Sequence, residues 1–133
     1  MSGPISRQRA EPPSRQRASV GAGLRAEWLA ILFLSAKGYR LLARRHGGKG
    51  GEIDLIMRRG RTVIFVEVKA RGRMETAMEA ITPAKIRLIT RRVGIWRAQN
   101  PWSQGCTLRA DALFLAPRRW PAHVPNVFEL PLA

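Results

Sequence analysis

From Gly51 to Arg71 the chain runs G-E-I-D-L-I-M-R-R-G-R-T-V-I-F-V-E-V-K-A-R. Two arms, Glu52–Arg58 and Thr62–Ala70, are crowded with β-branched and aromatic residues, and Gly60 stands where a bend would need a residue free to take positive φ. A two-residue Gly60-Arg61 loop sets Arg59 opposite Thr62. Ile53, Leu55 and Met57 then face Val68, Val66 and Ile64 on one apolar side. On the other side Glu52 meets Lys69, Asp54 meets Glu67, Ile56 meets Phe65 and Arg58 meets Val63. Residues i and i+2 of a strand share a face, so Glu67 and Lys69 point together. Two unpaired carboxylates at ~4.5 Å, in an effective dielectric of about 20, repel by roughly 3–4 kcal/mol. That is a large part of a small domain's ~5–15 kcal/mol. Water at an exposed rim, a shared proton, Lys69 or a divalent cation can offset it. A solvated polar face is the plainer reading; the apolar surroundings favour the cation, since hard ions such as Mg²⁺ take one or two carboxylates plus water and phosphate.

Asp54, twelve intervening residues and then Glu67-Val68-Lys69 resemble the D-(x)n-E-x-K signature of the PD-(D/E)xK nuclease superfamily. G-E-I-D-L-I followed by V-I-F-V-E-V-K-A-R is similar to the bacterial family UPF0102, also called YraN-like, and the likeness extends from about Gly23 to the C-terminus. The resemblance implies a restriction-endonuclease-like α/β core with a mixed central sheet flanked by helices. It also implies metal-assisted phosphodiester hydrolysis. Asp54, Glu67 and the Val68 carbonyl would hold Mg²⁺ (or Mn²⁺), Lys69 would position or activate the attacking water, and Glu27 would complete the acidic cluster. Relatives usually carry Asn where Arg45 aligns, a departure in this chain. Similar branched-DNA enzymes are usually dimers, which makes a homodimer an expectation.

The chain has 133 residues, enough for one domain with one core. Its 24 Lys and Arg against 9 Asp and Glu give a net charge of +15, which implies a polyanionic partner. Nucleic acid, DNA ahead of RNA, suits this better than a membrane, because no apolar run approaches the ~20 residues a span requires. The single Cys106 excludes an intramolecular disulfide and suits a reducing compartment, here the cytoplasm.

Residues 1–20 form a separate, Arg-rich extension in which S-R-Q-R-A occurs twice. With almost nothing to bury, it is expected to be disordered, and residues 21–133 to form the single domain. It has no apolar core of a secretory signal. Leu24–Lys37 reads as the first helix, closed by Gly38. Glu27 there has Leu24, Ala30, Ile31 and Leu34 as helical neighbours, so its carboxylate needs a partner: either one of the arginines or the hairpin face bearing Asp54 and Glu67. Tyr39–Arg45 reads as a strand. His46 and the glycine-rich run after it, with Lys49, read as a basic loop near substrate, His46 being a solvated loop residue rather than a ligand.

Beyond the hairpin, Thr82 is a helix N-cap and Pro83 the first helical residue. Ile86, Ile89, Val93 and Trp96 make an apolar stripe, and Lys85, Arg87, Arg91, Arg92 and Arg97 lie off it. With Lys49 and Arg71, the residues Lys85, Arg91 and Arg92 are the expected contacts to a nucleic-acid backbone, of the kind that position substrate without reading sequence. Thr107–Ala116 alternates as a fourth strand on which Asp111 pairs with Arg109 or a helix arginine. Val124–Leu130 closes the sheet at an edge that tolerates Pro125. Trp102 and Trp120 read as packing or lid residues.

Overall fold

The computed structural model describes residues 13–47, 53–70 and 81–130, with side chains from Arg25 onward. Its elements are α1 (Pro13–Ala36), β1 (Arg40–His46), β2 (Ile53–Arg59), β3 (Thr62–Ala70), α2 (Pro83–Gln99), a 3₁₀ turn (Pro101–Gly105), β4 (Thr107–Leu115) and β5 (Ala122–Phe128). The five strands make one sheet in the order β1-β2-β3-β4-β5. Every neighbouring pair is antiparallel except β3 with β4. Parallel neighbours require a crossover, and α2 with the 3₁₀ turn supplies it. Two helices on a mixed sheet give the α/β, restriction-endonuclease-like core that the sequence implied.

The hairpin turns as its sequence dictates. Gly60 has φ +61° and Arg61 does not enter the positive region, the sign pattern of a type II′ turn. Arg59 pairs with Thr62, Arg58 with Val63, Met57 with Ile64, Ile56 with Phe65 and Leu55 with Val66, the expected register. The ladder stops there. Asp54 and Ile53 are not paired with Glu67 and Val68, and the alternation breaks with them: Ile53 packs with Ile56, Val63 and Phe65 instead of with Leu55 and Met57. The reason is a side chain in a backbone role, since Asp54 Oδ2 accepts the Val68 N–H at 2.8 Å.

Each face of the sheet carries one helix. Ala30, Ile31 and Leu34 of α1 bury against Leu55, Met57, Ile64, Val66 and Leu113. Ile89, Val93 and Trp96 of α2 bury against Ile53, Ile56, Val63 and Phe65. The spacing of that second trio was legible; Ile86, the fourth member of the expected stripe, is only half-buried. At the start of α2 the Thr82 hydroxyl accepts the Lys85 N–H at 3.2 Å, with Pro83 inside the first turn.

Helix α1 is longer than expected and starts inside the stretch read as disordered. Pro13 suits a first helical position, and Arg, Gln and Ala carry the helix past Gly21 and Gly23, which cost about 1 kcal/mol each relative to Ala. It ends on Gly38 at φ +96°, as expected. Strand β1 bulges between Leu41 and Ala43. It runs through His46, so that residue is a partly buried strand residue and not a solvated loop residue; its Nδ1 is buried with no hydrogen-bond partner among the described residues. Strand β5 is an edge strand and accommodates Pro125, as its proline content required.

Candidate active site at the open end of the hairpin

Where the β2–β3 ladder ends, Asp54 feels the charges of two other carboxylates, Glu67 and Glu27. Asp54 is partly buried on β2, Glu67 is buried on β3, and Glu27 is buried on α1. Asp54 is pushed up to about 6 from an ordinary 3.8. Burial is the largest cause, the Glu67 charge the next, and Glu27 adds to both; the Val68 N–H and the Lys85 charge pull the other way. Glu67 and Lys85 belong to the α2 side of the sheet and Glu27 to the α1 side. Asp54, at the break between the strands, therefore senses both.

Glu67 is not left unpaired. Its Oε2 lies 3.0 Å from Lys69 Nζ and 3.1 Å from Lys85 Nζ. The first pair follows from the shared face of Glu67 and Lys69. The second was not legible: Lys85 was expected on the nucleic-acid surface, and the crossover instead delivers the first turn of α2 over the end of β3. Thr82, Pro83 and the Lys two positions on marked a helix start, but only the parallel pairing tells which strand that start lands on.

Glu27 is held by two arginines of β1, with Oε1 3.3 Å from Arg44 and Oε2 3.0 Å from Arg45. Of the two sequence alternatives for Glu27, the structure shows the arginine pairing; its charge is also felt at Asp54. Arg45 takes φ +51°, a region that favours Gly and Asn over other residues. Arg45 thus holds a backbone conformation that disfavours it while making the Glu27 pair. Arg44 also stacks on Trp28, with its guanidinium carbon 4.8 Å from the ring centre.

The donor set suits a hard divalent cation. Asp54 and Glu67 supply two carboxylates, and the N–H and C=O of one strand residue leave on the same side, so the Val68 carbonyl points toward β2 beside Asp54. A nearby cation would favour the ionised form and draw the Asp54 carboxyl back down. Among the described residues no group of three or more His, Cys, Asp and Glu is placed to hold a metal ion.

Of the expected backbone contacts, Arg91 is exposed and Arg92 half-buried on α2, while Lys49 and Arg71 lie outside the described residues. Arg97, off the stripe too, donates to Gln104 Oε1 at 3.4 Å. Trp102 packs as expected, against Trp96 and under the Arg58 guanidinium. Trp120 does not pack. It is 87% exposed at the rim of an apolar groove of about 900 Å³, lined also by Leu29, Leu32, Phe33 and Leu115. Among the described residues no helix is long and apolar enough to cross a membrane.

A second polar cluster lies away from these carboxylates. Asp111, fully buried on β4, accepts two hydrogen bonds from Arg109, both at 2.8 Å, one from His123 Nε2 at 2.7 Å and one from the Asn126 N–H at 3.0 Å. Burial alone would raise this carboxyl; the bonds from Arg109, His123 and Asn126 outweigh it and hold it below the usual range. Arg109 also donates to the Tyr39 hydroxyl, and Lys37 Nζ sits 2.6 Å from His123 Nδ1. The Arg109–Asp111 pair was expected; the part played by His123 was not.

A mixed five-stranded sheet between helices, with Asp54, Glu67 and Lys69 set on its hairpin, places the protein among restriction-endonuclease-like α/β domains. The chain belongs to the uncharacterised protein family UPF0102, whose family model matches residues 26–115. A UPF0102 protein of Methylorubrum extorquens is 56% identical over 121 residues, which cover 91% of this chain and 94% of the relative. One from Methylobacterium nodulans is 54% identical over 116 residues, covering 87% and 90%. One from Rhodopseudomonas palustris is 42% identical over 125 residues, covering 93% and 95%.

Proposed function

We propose that this protein is a metal-dependent nucleic-acid phosphodiesterase, an endonuclease of the PD-(D/E)xK type acting on structured or branched DNA in the cytoplasm. The observation that carries the reading is Asp54: a carboxyl raised to about 6 by burial and by Glu67, next to a carboxylate that already engages a lysine. Strongly perturbed carboxyls beside a charged partner are a signature of chemistry as well as of structure.

In this reading Asp54, Glu67 and the Val68 carbonyl would hold Mg²⁺ or Mn²⁺, and the ion would supply Lewis-acid polarisation of the phosphate and a template for attack. Lys69, 12% exposed and fixed on Glu67, orients the attacking water and faces the charge that develops on the phosphoryl oxygens. Glu27 adds negative charge near Asp54, which would draw a cation there, and pairs with Arg44 and Arg45. The exposed Arg87 and Arg91 of α2, with Arg92, run along the backbone of the nucleic acid and fix its position. A +15 chain gives such contacts long reach and steep salt dependence. A homodimer would present two such sites to a branched substrate.

A second reading is favoured by one feature: two lysines already neutralise Glu67 without any cation, as in a binding module that keeps the fold and cuts nothing. One experiment separates the two. Wild type, Lys69→Ala and Glu67→Ala are incubated with Mg²⁺ or Mn²⁺ on linear, single-stranded, flapped and four-way-junction DNA and on structured RNA, with binding measured in parallel. Cleavage by wild type, lost in both variants while binding survives, establishes the nuclease. Binding without cleavage on every substrate selects the module.

A further inference from the structure

We infer that Lys85 is a displaceable counter-ion, holding Glu67 while no cation is bound and turning to a substrate phosphate once a divalent cation takes the carboxylates. The inference rests on the metal-dependent reading above. Lys69 and Lys85 approach the same oxygen, Glu67 Oε2, at 3.0 and 3.1 Å. Two ammoniums on one carboxylate oxygen stand within about 6 Å of each other, so like charges are already crowded there. Among the described residues, Lys69, Lys85, Arg44 and Arg45 pair with Glu67 or Glu27. A further double charge on Glu67 is opposed by both lysines, and driving one of them off relieves that repulsion.

The structure distinguishes the two. Lys69 stands on the central strand β3, which is paired on both sides, and its side chain is 12% exposed. Lys85 is 33% exposed, and among the described residues its ammonium pairs with Glu67 alone. Its backbone is fixed, because the Lys85 N–H is capped by Thr82 and the next N–H, of Ile86, by the Thr82 carbonyl at 2.9 Å. The anchored base and the flexible four-carbon stem let the head group swing while α2 stays put. It swings at the amino end of a helix, where a phosphate is favoured. Lys85 is a substrate-positioning residue on this account, poised by the carboxylate it later leaves.

The test uses the full chain and Ca²⁺ in place of Mg²⁺. Calorimetry measures Ca²⁺ affinity for wild type, Lys85→Met, Lys85→Gln and, for reference, Lys69→Met. Fluorescence anisotropy then follows four-way-junction DNA with and without Ca²⁺ across a salt series. Both Lys85 variants are expected to bind Ca²⁺ about three- to tenfold more tightly than wild type, since a competing charge is gone. The strengthening of DNA binding that Ca²⁺ produces in wild type should shrink in them, with a salt slope lower by about one only when Ca²⁺ is present. If wild type binds Ca²⁺ and both Lys85 variants bind it equally or more weakly, the displacement is wrong while the metal reading stands. A salt slope lowered equally with and without Ca²⁺ also overturns it, because Lys85 is then an ordinary phosphate contact. If wild type binds neither Ca²⁺ nor Mn²⁺, the metal reading fails and this inference falls with it.

Discussion

Asp54→Asn should make the cation-free protein more stable, and the pH at which it does so is fixed by the site. In the fold the Asp54 carboxyl titrates near 6, against an ordinary 3.8. Between those values the folded state keeps a proton that the unfolded chain releases, so stability falls as pH rises through the window and levels off above it. At about 1.36 kcal/mol per unit, the full shift is worth roughly 3 kcal/mol, a ceiling that solvent at the partly buried edge lowers to about 1–3 kcal/mol. Asn removes the charge, and its side-chain oxygen can still accept the Val68 N–H. Urea unfolding followed by tryptophan fluorescence, from pH 3.5 to 8 with chelator present, is the assay. The variant should exceed wild type by that amount at pH 7.5 and match it below about pH 4. A difference independent of pH, or a variant less stable than wild type at pH 7.5, would refute the account of Asp54 as a carboxyl strained by burial and by Glu67.

Four other outcomes follow from the same structure. Asp111→Ala leaves the Arg109 guanidinium and His123 without their shared carboxylate and should cost about 3–5 kcal/mol in chemical denaturation. Because Asp111 is held below the usual range in the fold, its contribution in wild type persists above about pH 4 and is lost only on further acidification. Gly60→Ala meets no atom within 4 Å, so its cost is backbone strain alone at φ +61°, about 1–2 kcal/mol in urea unfolding. Arg45→Asn exchanges a half-exposed ion pair of about 0–1 kcal/mol for relief at φ +51° and should change stability by less than about 1 kcal/mol, whereas Arg45→Val, β-branched at the same φ, should destabilise clearly by the same measurement.

What could be read from the chain alone was whatever depends on near neighbours in sequence. The hairpin register followed from Gly60-Arg61, because a two-residue loop leaves one pairing, and the Glu67–Lys69 pair followed from the two-residue period of a strand. The trio Ile89, Val93 and Trp96 followed from helical spacing. Hidden were the events that need distant segments or a side chain acting as backbone. Asp54 replaces a ladder partner of Val68, which no alternation pattern announces. Lys85 reaches Glu67 only because the crossover lands α2 over the end of β3. His123 meets Asp111 across the β4–β5 pair, where the register shifts between Ala110 and Ala112, so counting along the strands does not align them. Trp120, read as a packing or lid residue, is exposed on the segment between β4 and β5.

The one parallel contact in the sheet also shapes how the chain reaches its native state. Strands β1, β2 and β3 follow one another as a meander and can zip locally, whereas Thr62 must find Thr107 across the whole crossover. Non-local pairing of this kind sets folding speed, because the entropy of closing a long loop is spent before the contact is made. The carboxylates of the hairpin are therefore brought together early, with Lys69 for company, and the Lys85 charge arrives with the last step. Salt or mild acid, which soften repulsion on the half-built hairpin, should speed the refolding limb more than they slow unfolding. In this fold the order of assembly is written in charge as well as in topology.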